Sequence, residues 1–114
     1  QMIEKIYEEW LSLRSRIGKR GSSISDKRKQ VLSSLLEKHN AEDLIMVLKY
    51  IKTANDFYAR FMRGDNKKDK DYTNFDSIFR PTKMDDKIEK AHQWEEANQP
   101  YSDETFFPFQ IVGA

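Results

Sequence analysis

Two stretches of this 114-residue chain carry the side chains best suited to chemistry, and that chemistry is the holding of phosphate. Arg14, Arg16, Lys19, Arg20, Lys27, Arg28 and Lys29 crowd into residues 12–29 against a single acid, Asp26. Gly18, Gly21, Ser22, Ser23 and Ser25 lie among them. Small residues leave backbone N–H groups open, and a helix start just behind them adds partial positive charge, a combination that suits a phosphate. Arg60, Arg63, Lys67, Lys68 and Lys70 form a second group, with Tyr58 and Tyr72 nearby. Cations mixed with aromatic rings suit single-stranded nucleic acid, whose bases stack while its phosphates pair. Asp65, Asp69 and Asp71 offset part of that charge.

Other reactive constellations are missing from the sequence. His39 and His92 are the two histidines, and neither stands in an HExxH-type ligand spacing. With no cysteine the chain can form no disulfide, thiolate ligand or thiol nucleophile, which fits a reducing cytoplasm. Gly18, Gly21, Gly64 and Gly113 do not compose a GxxxxGK[ST] phosphate loop. Ser22, Ser23 and Ser25 have no histidine or lysine placed by sequence to activate them. Asp85-Asp86 and Glu95-Glu96 read as solvated helix ends and faces. The expectation is a protein that is not an enzyme, with no catalytic residue, no metal, no cofactor and no small-molecule substrate.

The elements that position these groups read as all-α: a compact bundle of about four to five helices with a central antiparallel hairpin and an irregular C-terminal tail. Ile3, Ile6, Tyr7, Trp10, Leu11, Leu13 and Ile17 recur at near-helical spacing, which predicts a first helix from about Met2 to Ile17, stopped by Gly18. A second helix starts behind Ser25 with Val31, Leu32, Leu35 and Leu36 inward, and ends near His39-Asn40. Asn40 caps a third, whose apolar face takes in Leu44, Ile45, Val47, Leu48, Ile51, Ala54 and Phe57 and continues to Met62. The short turn between the second and third predicts the hairpin. Trp10 and Trp94 fall on apolar faces and read as core.

Gly64 to Asp71 is a polar loop, and Asn74 caps a short turn bearing Phe75, Ile78 and Phe79. Pro81 ends that turn, and Thr82 with Asp85 reads as the capping signature of a last helix through Ile88, Ala91 and Trp94. Residues 1–100 thus read as one helical domain and 101–114 as an acidic-aromatic tail. Residues 85–114 hold two lysines against seven acids, so charge is strongly segregated along the chain. In the tail, Phe106, Phe107 and Phe109 are candidate partner-binding residues, either packed back on the helices or docked on another protein. No apolar run approaches the ~18 residues of a membrane span, and Gln1-Met2-Ile3-Glu4 does not begin a signal peptide.

Two segments carry a resemblance. Phe61-Met62-Arg63-Gly64-Asp65-Asn66 matches a pattern FxRG(D/N)N, and Phe75-Asp76-Ser77-Ile78-Phe79-Arg80-Pro81-Thr82-Lys83-Met84, with Ile88 following, matches (F/L)DxxFRPxK(M/F)xxxI. In this order, and over about residues 25–92, the chain resembles the C-terminal domain of phage replication initiation proteins, the replisome organisers described as DnaD-like. The resemblance implies a part in starting DNA replication, in contact with DNA and with the replicative helicase or its loader, in the host cytoplasm. It also implies a neighbouring winged-helix domain, so this chain would be an excised module or a stand-alone relative. The tail departs from the pattern, and the pattern carries no catalytic residues. Arg80 and Lys83, placed where a helix start disfavours cations, join the candidate nucleic-acid contacts. The competing expectation is a protein–protein adaptor or phage inhibitor that captures a host factor through the tail, without nucleic acid.

Overall fold

Ile6, Tyr7, Trp10 and Leu13 repeat at helical spacing and are buried on one side of α1 (Met2–Arg16) in the computed structural model, which describes residues 2–98. Two backbone bonds close its end: Gly18 N–H donates to Ser15 O at 3.0 Å and Lys19 N–H to Arg14 O at 2.8 Å. That is a Schellman stop, and it needs the left-handed φ of 74° that Gly18 adopts. Side-chain caps start the following helices where the sequence places them. Ser25 Oγ accepts the N–H of Arg28 at 3.2 Å to open α2 (Asp26–Lys38), and Asn40 Oδ1 accepts that of Asp43 at 2.8 Å to open α3 (Ala41–Thr53). Asn74 Oδ1 does the same for Ser77 at 2.8 Å at the head of α5 (Phe75–Ile78).

The third predicted helix is two. Ala54 takes an extended backbone (ψ 151°) and α3 stops at Thr53. Asp56 then caps a separate short helix, α4 (Phe57–Met62), its Oδ1 accepting the N–H of Ala59 at 2.9 Å. The break rotates Phe57 out of the apolar face expected for it, leaving it 73% exposed. The last helix also begins differently. Pro81–Lys83 form a 3₁₀ turn with proline in its first position, and this runs straight into α6 (Met84–Asn98). Thr82 therefore lies inside that turn, and no side chain caps it.

Helix α3 is the axis of the fold. It buries Ala41, Leu44, Val47, Leu48, Tyr50 and Ile51, and its backbone runs closest to α1 on one side and α6 on the other. Helices α2 and α3, expected to pack as a hairpin, are consecutive and joined at His39-Asn40, but α2 buries only Leu32 and Leu35 and its backbone approaches α1. Two successive extended residues at that junction (ψ 154° and 159°) separate α2 from the axis. Phe75, Ile78 and Phe79 of the short α5 segment fill the core, with the Phe75 ring edge-on to Trp10 at 5.7 Å. Trp10 is buried, and its indole N–H reaches Thr73 O at 2.8 Å, which anchors the incoming loop on α1. Trp94 is only partly buried, packed against Tyr50 at 5.7 Å. All regular structure among the described residues is helical, and none of these helices is long and apolar enough to cross a membrane. The tail, with Phe106, Phe107 and Phe109, lies outside the described residues.

Candidate nucleic-acid interface

The basic segment 14–29 divides into internal and open groups. Arg14 is turned inward: its Nη1 donates to Asp71 Oδ1 at 3.1 Å and to Thr73 Oγ1 at 3.0 Å, and its Nε reaches Arg20 O at 3.3 Å. Arg28 lies over two rings, its guanidinium 5.2 Å from Trp10 and 4.8 Å from Phe75, while Nη1 donates to Tyr7 Oη and Ser22 Oγ. These two arginines lock the 18–25 loop against α1. Arg16, Arg20, Lys27 and Lys29 remain exposed, and Lys19 stands 3.8 Å from Asp71. No aromatic side chain is exposed among them.

In the second group Arg63 is likewise internal. Its Nη1 donates to Ile51 O and Ala54 O, both at 2.8 Å, so it closes the carbonyl end of α3 from the end of α4. Gly64 follows at φ 108° and completes a second Schellman stop, with Asp65 N–H on Arg60 O at 2.9 Å. Asn66 then fastens the loop: its amide donates to Phe61 O and Lys70 O, and its Oδ1 accepts the N–H groups of Lys68 and Lys70. The Arg63-Gly64-Asp65-Asn66 run is thus a folding clamp. It presents Lys67, Lys68 and Lys70 to solvent, while Arg60 pairs loosely with Asp65 at 3.8 Å.

What the clamp presents is a strip of rings. Phe57, Phe61 and Tyr72 follow one another, with centroids 5.9 Å and 5.4 Å apart, and the last two are parallel within 6°. Asn66, Lys67 and Lys68 share with them a hollow of about 360 Å³. Lys70 adds its ammonium 5.5 Å from the Tyr72 ring. Flat apolar faces next to flexible cations can stack bases and pair phosphates together.

On the far side of Phe61 and Tyr72 the strip borders a second hollow of about 240 Å³, whose other walls include Tyr58, Ser77, Arg80, Lys83 and Lys87. Arg80 and Lys83 are exposed on the 3₁₀ turn. Lys87 is 5% exposed and has no hydrogen-bond or ion-pair partner among the described residues. Burial pushes its ammonium down to about 8, and the nearby Arg80 and Lys83 push the same way against a weaker pull from Asp86.

Elsewhere the polar groups are structural. His92 Nε2 lies 2.9 Å from Asp43 and His39 Nε2 3.8 Å from Asp85, ties that fix α6 to α3 and to the end of α2. The larger hollow between α3 and α6, about 660 Å³, carries Glu42 and Glu95 against Lys49, a charge that disfavours phosphate.

Sequence reasoning named Lys67, Lys68, Lys70, Tyr72, Arg80 and Lys83, and the fold gathers them around the Tyr72 ring and the two hollows it borders. It did not single out Phe57, Phe61 or Lys87. Asp56 was the available signal for the first, since a cap there turns Phe57 outward. For Lys87 the signal was its place on the inward stripe of α6 between Met84 and Ala91. Comparison with family models, with curated proteins and with solved structures finds no match to this chain.

Proposed function

We propose that this chain is a non-enzymatic module of a phage-type DNA replication initiation protein, binding single-stranded DNA on the Phe57–Phe61–Tyr72 strip and working with a replicative helicase or its loader. The observation that carries the DNA half is the ring strip, exposed at Phe57 and half-buried at Phe61 and Tyr72, bordered by Lys67, Lys68 and Lys70. Phe57, the exposed end of the strip, contributes little to the core, while each stacked base is worth about 1–3 kcal/mol. The replication half rests on the resemblance of the two motif segments and on nothing else.

Fluorescence anisotropy with a labelled oligothymidine tests the first half. With three lysines on phosphates, the logarithm of the affinity should fall against the logarithm of salt with a slope of about −2. Replacing Lys67, Lys68 and Lys70 by glutamine should flatten that slope, whereas replacing Arg20, Lys27 and Lys29 should change it less. Absence of binding at low salt, or a salt-independent affinity, sinks the reading. Equal loss from the second triple variant moves the interface to the 14–29 loop.

A further inference from the structure

The hollow behind the strip has features that a surface for an extended strand does not need. Lys87 is buried without a partner among the described residues, and an unpaired ammonium is held out of water at a cost. Arg80 and Lys83 stand on the same hollow, and neither has a carboxylate partner among the described residues. Asp86, the preceding residue in the chain, is the acid acting on Lys87, and the two cations with burial outweigh it. Tyr58, Ser77, Phe61 and Tyr72 complete the same walls. Three cations around a space of about 240 Å³ leave local charge that one small anion would balance.

We propose that this hollow is a phosphomonoester site, in which Lys87, Arg80 and Lys83 together hold a terminal phosphate group. The charge decides between phosphate classes. A monoester carries −1.5 to −2 near pH 7, whereas each phosphodiester inside a strand carries about −1. Three cations, one of them desolvated, match the first better, and charge-assisted bonds to a dianion are the strong ones. The monoester has two sources: the phosphorylated end of a strand, or free inorganic phosphate and mononucleotides. The inference rests on the single-strand reading and deepens it by giving the strip an end to start from, with cations distinct from those that border the strip.

The test uses the whole chain with four probes: one oligothymidine bearing a 5′-phosphate, one bearing a 3′-phosphate, one with neither, and inorganic phosphate. One phosphorylated oligonucleotide should bind about tenfold more tightly than the bare one. Lys87→Met should erase that difference while leaving affinity for the bare oligonucleotide in place. Arg80→Gln with Lys83→Gln, two exposed positions that do not threaten the fold, should reduce the difference as well. Millimolar inorganic phosphate should move the lysine ε-carbon resonance of Lys87 and raise the melting temperature of the wild type but not of Lys87→Met. If phosphate is bound and none of the three oligonucleotides is, free phosphate or nucleotide is the ligand, and the strip reading fails while the pocket stands. If the bare oligonucleotide binds in a salt-dependent way and neither phosphate nor an end group adds anything, the strip stands and the pocket is overturned.

Discussion

Arg14 Nη1 meets Asp71 Oδ1 at 3.1 Å, joining the first helix to the loop that follows α4 across 57 positions of sequence. Asp71 also accepts the Thr73 N–H at 3.0 Å and its hydroxyl at 2.7 Å, so one carboxylate organises the approach to α5. Burial pushes this carboxyl up, but the two Thr73 hydrogen bonds with Arg14 and Lys19 outweigh it and hold the group below its ordinary value. A carboxylate depressed in the folded state lends stability above its unfolded value near 4 and loses it as pH falls through the folded one. Asp71→Asn should therefore lower stability at pH 7 by about 1–3 kcal/mol, and the gap to wild type should narrow below about pH 4. Urea melts across that range measure it, and a gap that does not narrow as pH falls contradicts the assignment.

Arg63 is the arginine that charge counting places on DNA and geometry places on α3. Its two bonds satisfy the Ile51 and Ala54 carbonyls at the point where α3 stops. Arg63→Lys keeps the charge but shortens the side chain by one atom, drawing the donor back from the two carbonyls that Nη1 reaches. Thermal melts should show a loss of about 1–2 kcal/mol. Oligothymidine affinity, measured well below the melting point, should stay within about twofold of wild type. A tenfold loss of affinity with unchanged stability would return Arg63 to the interface.

The contrast between these two arginines and the helix caps explains what the sequence made legible. Ser25, Asn40 and Asn74 act on an N–H three residues away, so their roles are written in adjacent letters. The stripes of α1 and α3 are equally local. The break at Ala54 was harder to read, because Ala54, Phe57, Phe61 and Met62 continue an apolar spacing across it. Asp56 overrides that spacing by capping a new helix, and one polar residue is a weak signal beside four apolar ones. Arg14 with Asp71, and Arg63 with Ala54, are pairings between distant or separately folded elements, and no periodicity reports them. Counting charge in a segment therefore overstates the free cations, since Arg14, Arg28 and Arg63 are held internally.

Phe57 separates the surface role from the structural one. At 73% exposure it can be truncated with little loss of packing, so Phe57→Ala should melt within about 0.5 kcal/mol of wild type. If it stacks a base, the same change should weaken oligothymidine binding by about fivefold or more. Phe61→Ala should cost more binding, since its ring lies parallel to Tyr72 in the middle of the strip. Its stability should fall too, because the partly buried ring backs both hollows. Unchanged affinity in Phe57→Ala alongside unchanged melting removes the strip from the interface.

Lys87 yields the prediction whose sign is least intuitive, that deleting a polar group stabilises the protein. Its ammonium is pushed down to about 8 in the folded chain, while the unfolded value is near 10.5. The unfolded chain therefore holds more protons between those values, and wild-type stability should climb as pH rises from 8 to 10.5. Below pH 8 the full penalty of the buried charge is present. Lys87→Met removes it, so at pH 7 the variant should be more stable by about 2 kcal/mol, with the advantage shrinking toward pH 10.5. Inorganic phosphate should shrink it too, because an anion beside Lys87 compensates the buried charge that methionine eliminates. Chemical denaturation of both proteins at pH 7 and pH 10, with and without phosphate, gives all the comparisons. A variant less stable than wild type at pH 7 without phosphate would mean that the ammonium already has a partner, and the pocket would lose the unbalanced charge that defines it.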